Sequence, residues 1–275
     1  MSRPVIIFTF AGREPNMRLQ EPFIRRILED HSEVSWDIWD LARDPVDSAY
    51  LRTIEGERIT VRTQFAGDEP WRRFDDVYRF YADEKYRDHV FVKGDDDLVF
   101  IETKRFADFI SAVQPNMVLS AKVVNNGSST PLEPGLNRVF RDLHMPLLDV
   151  HLKSKFAVRC HHYFFDHVEK MLEQPIAMHP IRDWLSINWI AYDWRMACKF
   201  ASLLGTPSPG HIAGRVFTRR AKLGDEGMVN TLPRTIFQGM TVCHLSFGPQ
   251  ERNYPQSGWD ELRARYAEIG QEYLA

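Results

Sequence analysis

Three consecutive aspartates, Asp95, Asp96 and Asp97, stand inside the run "HVFVKGDDDLVFIETKRF" (89–106), between two apolar segments. Acidic runs are ordinarily solvated faces or tails with polar neighbours. Here the flanks are Val-Phe-Val and Leu-Val-Phe-Ile, the composition of buried strand. Carboxylates at the edge of a core repel one another and lose hydration, so they need a cation or dense hydrogen bonding. Asp95 and Asp97 are two positions apart, and in an extended or tightly turned segment their carboxylates can reach one side while Asp96 turns to a ribose or the backbone. Two carboxylates with open positions beside them suit Mg²⁺ or Mn²⁺ bridging a diphosphate. The plain alternative is an acidic turn between two strands, without metal.

The segments around this run must position it, and they alternate. "PVIIFTF" (4–10) has the pattern of a buried strand, ended by the turn residues of "AGREPN". A helix is expected over "PFIRRILEDH" (22–31), a strand over "SWDIWDL" (35–41), and a helix over 70–86, where Trp71, Phe74, Val77, Tyr78 and Tyr81 share a face. The strand into the aspartates follows, then a helix at about 103–113, and the strand "MVLSAKVV" (117–124), which ends in "NNGSS". This order predicts an α/β fold, Rossmann-related, with a mainly parallel sheet flanked by helices. In such sheets ligands bind outside the carboxyl ends of the strands. Gly12–Arg13, Asp40, Asp95–Asp97 and Asn125–Gly127 all fall at those ends.

The second half has the more helical pattern. Helices are expected over 155–174, 181–205, 224–234 and 258–274, and a strand over "MTVCHLSF" (240–247). No stretch rich in Pro, Gly or Ser divides the chain, so one domain over 1–275 is expected, with halves 1–125 and 126–275. The 275 residues are 44% hydrophobic and 27% charged, ordinary for a globular protein, and suffice for a proper core. A formal net charge of −3 argues against a general nucleic-acid binder. No apolar run is long enough to cross a bilayer, and the N-terminus lacks the pattern of a signal peptide. Three widely spaced cysteines, Cys160, Cys198 and Cys243, imply no disulfide framework, and a cytoplasmic location is the simplest expectation.

Taken together, several segments carry a family likeness. "VKGDDDLVFIE" resembles the D-x-D motif of metal-dependent, nucleotide-sugar glycosyltransferases of the GT-A fold. "LGDEG" (223–227) resembles the acidic motif that opens a helix beneath the acceptor site, and "VCHLSFGPQ" (242–250) resembles the late strand whose histidine completes the metal ligands. "FTFAGRE" is similar to the first strand and nucleotide-contacting loop of bacterial and phage-encoded members, so the likeness spans residue 5 to about residue 250. It implies a hexosyltransferase with a nucleotide-diphosphate-sugar donor, a UDP-sugar favoured, and a metal held by Asp95, Asp97 and His244. It implies base and ribose contacts from Phe8–Arg13, including Phe10 and Ala11, and from Asp40, with Asp96 also on the donor. Phosphate contacts would come from Arg13, Arg219 or Arg220. Asp225 or Glu226 would take the acceptor proton or orient the acceptor; the family pattern is Glu-Asp, and here Gly-Asp-Glu-Gly leaves the choice between them open. The acceptor is not specified, and a protein Ser or Thr hydroxyl is one class the likeness allows.

Each assignment has a plainer counterpart. Asp225 and Glu226 also suit a helix N-terminus, and a single histidine such as His244 is more often a satisfied core residue than a ligand. Arg13 has an equal claim to an ion pair with a nearby carboxylate. Asn125 and Asn126 can bond the donor sugar or simply make a turn. "CHHYFFDH" (160–167) lacks the second ligand pair of a zinc site, and the spacing of Trp184, Ile187, Ala191 and Trp194 reads as helical core, with Asn188 its polar exception. Two rival functions remain: a metal-dependent nucleotidyltransferase, disfavoured by the single glycine of "AGREPNMR", and a non-catalytic carbohydrate- or protein-binding module on the same fold.

Overall fold

Every residue of "VIIFTFA", strand β1 (Val5–Ala11), is buried, because both faces of the strand are covered. Val5 and Ile7 enter one core layer, while Ile6, Phe8 and Phe10 enter the other. This is seen in a computed structural model, which describes residues 3–67, 69, 73–218 and 220–275. Trp71 of the predicted helical face and Arg219 lie outside the described residues.

The remaining strands are β2 (Val34–Asp40), β3 (Ile59–Arg62), β4 (Val90–Asp95), β5 (Leu98–Ile101), β6 (Val118–Val124), β7 (Met178–Pro180), β8 (Trp189–Asp193), β9 (His211–Ile212), β10 (Arg215–Val216) and β11 (Arg234–His244). The main sheet has the order β3-β2-β1-β4-β8-β6-β11-β5, with β7 also on β11, and β9–β10 form a separate hairpin. Pairing is parallel among β3, β2, β1 and β4 and between β6 and β11; β8, β5 and β7 run antiparallel to their neighbours. The sheet is therefore α/β and mostly parallel, as the alternation predicts.

The helices are α1 (Glu14–Asp30), α2 (Pro45–Thr53), α3 (Phe74–Tyr81), α4 (Phe106–Ser111), α5 (Pro134–Asp142), α6 (Ser154–Asp166), α7 (Val168–Met171), α8 (Trp194–Leu203), α9 (Asp225–Val229), α10 (Gly248–Arg252) and α11 (Gln256–Leu274). Apolar faces of α1, α6 and α11 build one layer, and those of α3 and α8 build the other. No helix among the described residues is long and apolar enough to cross a membrane.

Several boundaries differ from the sequence reading. Helix α1 begins at Glu14 instead of Pro22, because Pro15 sits in its first turn, where a proline costs no hydrogen bond. Helix α2 and strand β3 were not expected. The stretch 181–205 is not one helix: irregular chain leads to β8, and only α8 is helical. Pairing of β8 between β4 and β6 overrides the helical spacing of Trp184, Ile187, Ala191 and Trp194, and the Asp193 side chain accepts from Met196 N at 3.0 Å to start α8 afresh. The predicted 155–174 helix breaks at Asp166, and the 224–234 helix is only the short α9, after which β11 begins at Arg234, earlier than expected.

Candidate functional site

Asp95 is the last residue of β4, paired in register with Phe10 of β1, and Asp96 and Asp97 form the turn into β5. Gly94 permits the approach to β8: a Cβ there would meet the Trp189 ring at 2.9 Å. Asp95 N donates to Asn188 O at 2.9 Å and Gln20 Nε2 donates to Asp95 O at 2.7 Å, so the turn is pinned from two elements. Strand β5 then leaves β4 and pairs with β11, placing His244 opposite Leu98. That register brings His244 Nε2 to 3.0 Å from Asp97 Oδ2 across 147 positions of sequence.

The carboxylates are compensated by two fixed cations. Lys93, 2% exposed, pairs closely with Asp95 and donates to Ile187 O at 3.0 Å. The other Asp95 oxygen accepts from Asn188 Nδ2 at 3.0 Å, and Asn188 is held in turn by Asn126 Nδ2 at 3.0 Å. Arg13 Nε donates to Asp96 Oδ1 at 2.9 Å, and its Nη2 lies 2.8 Å from Asp97 Oδ2. Burial would by itself raise the Asp97 pKa, but Arg13 and His244 outweigh it and hold the group well below the usual carboxylate range. Burial wins at Asp225 and Glu226: both are raised, with Lys93 the main offset at Asp225 and Ser186 at Glu226. Lys93 is raised because Asp95 and then Asp225 overcome its burial.

These residues fit a divalent cation. One donor atom each from Asp95, Asp97 and His244 lies within 4.8 Å of the other two. Asp97 Oδ1 and His244 Nδ1 are buried without a hydrogen-bond partner, lone valences a neutral turn would not leave. Two carboxylates and one imidazole form a donor set that takes Mn²⁺ as readily as Mg²⁺.

The cluster divides one cleft into two lobes that share Arg13, Lys93, Asp95, Asp225 and Gly248. The larger, about 470 Å³, is floored by Phe10 and Phe74, whose ring centroids lie 4.9 Å apart. Its walls match four basic side chains, among them Arg43 and Arg252, with four acidic ones. Among the described residues, the smaller lobe, about 260 Å³, sets four carboxylates, including Asp225 and Glu226, against Arg13 and Lys93. The cleft is thus electrically polarised along its length.

Phe10, Ala11, Arg13, Asp95 and Asp96 line the larger lobe, and Asp97, Asp225, Glu226 and His244 the smaller. Asp40, Asn125 and Arg220 line neither. Asp40 Oδ1 accepts from Ser48 Oγ at 2.8 Å and Ala42 N at 3.3 Å, a turn role at the end of β2. Asn125, at φ 63°, bonds Leu245 O at 3.2 Å and exchanges bonds with Gln250 at 2.9 and 3.0 Å. Its buried amide stitches the end of β6 to the chain just after His244. Arg220 is exposed. Of the histidine-rich segment, His161 is buried and accounted for: its ring nitrogens bond Tyr266 Oη at 2.7 Å and Leu245 O at 2.8 Å.

Lys93 is the site residue that pattern reading missed, although a lysine inside "VFVKGD" is itself a signal that a carboxylate waits within reach. Arg43, Glu251 and Arg252 gave no comparable signal. Compared with known proteins, this chain matches no protein-family model and has no significant match to a curated protein.

Proposed function

We propose that this protein is a metal-dependent glycosyltransferase that moves a sugar from a nucleoside-diphosphate donor, a UDP-sugar favoured, to an acceptor hydroxyl. The observation that carries the reading is the junction of Asp95, Asp97 and His244 between two lobes of unlike character. The aromatic floor of Phe10 and Phe74 offers a face for a base, and Arg13, Arg43 and Arg252 offer forks that match phosphate oxygens. Asp95, Asp97 and His244 would hold Mn²⁺ or Mg²⁺, which as a Lewis acid stabilises charge on a departing diphosphate. Asp225 and Glu226 stand in the acidic lobe with raised pKa, nearer to working pH than an ordinary carboxylate and so better matched to accept an acceptor proton. Acceptors then enter from the smaller lobe, and a protein Ser or Thr hydroxyl is one class it admits.

The test is a thermal-shift panel of UDP, GDP, TDP, ADP and CDP, each with Mn²⁺ or with EDTA. A ligand at 100 times its dissociation constant stabilises the native state by about 2.7 kcal/mol, a readable shift. One nucleoside diphosphate acting only with metal is expected; no shift from any of them overturns the reading. Transfer from the matching nucleotide sugar then separates a transferase from a non-catalytic binding module.

A further inference from the structure

We propose that Arg13 is a resident counter-ion which a divalent cation displaces from Asp97, and that the released guanidinium swings into the larger lobe to grip the donor's phosphates. The inference rests on the metal reading above and adds a moving part to it. The Asp97 Oδ2 atom already serves two partners, Arg13 Nη2 at 2.8 Å and His244 Nε2 at 3.0 Å. A metal bound by Asp97 sits about 2 Å from its oxygen. Arg13 and the metal would then be two cations a few ångströms apart on one carboxylate, where their repulsion is large at protein dielectric. Among the described residues Asp97 Oδ1 has no hydrogen-bond partner and can seat the metal, so the repulsion acts on the Arg13 hold on Oδ2.

Of the two basic residues beside the aspartates, Arg13 is the more exposed and the one able to move. Lys93 is 2% exposed and tied to the Ile187 carbonyl. The Arg13 side chain is 36% exposed. The Arg13 carbonyl accepts from Asn16 N at 3.1 Å and Met17 N at 3.0 Å to open α1, while the side chain makes no cap bond but holds Asp96 through Nε at 2.9 Å and through Nη2, a grip the swing must also release. The guanidinium can therefore leave Asp97 with the helix start intact. Arg13 also lines both lobes, so the way out of the smaller lobe leads into the larger one, beside Arg43 and Arg252. Metal binding thus does two things for an incoming diphosphate: it supplies a cation, and it frees a second one that the aspartates were consuming. By thermodynamic reciprocity, the diphosphate then tightens the metal.

The test is Mn²⁺ binding followed by electron paramagnetic resonance on nucleotide-free protein. Arg13→Gln is expected to bind Mn²⁺ about tenfold more tightly than wild type, since a competing charge is gone, while Arg13→Lys stays near wild type. With nucleoside diphosphate present, the Gln variant should bind that nucleotide more weakly. Mn²⁺ affinity that is unchanged or weaker in Arg13→Gln overturns the latch and leaves the metal site standing, whereas absence of Mn²⁺ binding by wild type and variant alike overturns the metal reading and the latch with it. A second measurement uses wild-type protein alone: phenylglyoxal modification of Arg13, read by peptide mass, should speed up several-fold when Mn²⁺ is added, and an unchanged or slower rate overturns the proposal.

Discussion

Lys93 and Lys122 sit on strands of one sheet, each 2% exposed, yet their pKa values move in opposite directions. Burial works against both ammonium groups. Lys93 touches Asp95 and feels Asp225, and its pKa is raised. Lys122 donates to the Met171 carbonyl at 3.2 Å, and burial pulls it down to about 8. Carboxylates stand near it too, but their oxygens are already used. Glu102 accepts from Glu173 N at 2.6 Å and from Thr241 N at 2.7 Å. Glu133 accepts from Tyr163 Oη at 2.9 Å and Gln174 Nε2 at 3.1 Å, and Lys170 lies 3.3 Å away. The Lys122 cluster is a seam that docks α6 and α7 on the sheet, whereas the Lys93 cluster opens into the cleft. A buried cation keeps its charge firmly only where a carboxylate is left free for it.

This contrast can be broken most forcefully at Lys93. Replacing it with Met leaves Asp95 and Asp225 without their fixed cation. If the protein is the proposed transferase, transfer should fall about 10²- to 10³-fold, the scale of losing one preorganised charged contact. Stability to urea should drop by about 3 kcal/mol, as for other buried pairs with one partner removed. Wild-type transfer by this variant would show that Lys93 is only a wall of the cleft.

At Lys122 the effect is smaller and has the opposite sign. Below pH 8 the folded and unfolded chains both hold this proton. Between a folded pKa of about 8 and the ordinary 10.5 only the unfolded chain keeps it, so stability rises with pH. From pH 8 to pH 10 this contributes about 2 kcal/mol in wild type, at 1.4 kcal/mol per unit. Lys122→Met should lack the rise, so its advantage over wild type near pH 7 shrinks as pH increases. Urea unfolding at three pH values checks it, and parallel curves for the two proteins would refute it.

The smallest effect sharpens the choice of base. On the proposed function, the acid limb of the transfer profile should lie above the 3.8 of an ordinary aspartate, because burial raises Asp225 and the base must be ionised. Lys93 is the main offset at Asp225 but does not figure among the causes acting on Glu226. In Lys93→Met the limb should therefore move up if Asp225 is the base, because the cation that offsets its burial is gone. An unmoved limb would assign the role to Glu226. Lys122→Met should leave the limb in place in either case.

Much of the cleft was readable along the chain and some was not. "VFVKGD" and "LSAKVV" both show one lysine in an apolar strand, and nothing local tells the charged seat from the depressed one. Asn188 stood out as a polar residue in an apolar run, but its bond to Asp95 needs β8 to lie antiparallel beside β4, and helical spacing of the neighbouring aromatics hid that strand. Asp40 and Asn125 occupy the strand ends expected of ligand contacts. The Asp40 side chain instead serves the turn after β2 and that of Asn125 bonds Leu245 and Gln250, a choice that depends on Ser48 and Gln250 arriving from elsewhere.

What the sequence determined by itself was local. Apolar runs set β1, β2, β4, β5 and β6, and turn residues and acidic positions put the aspartate run at a strand end, since backbone conformation and side-chain period are properties of neighbours. The tertiary structure alone decided the strand order, the insertion of β8, the meeting of His244 with Asp97 across 147 positions, and which cation answers which carboxylate. Ion pairing and desolvation depend on distance and burial, and those quantities exist only after remote segments have been packed together.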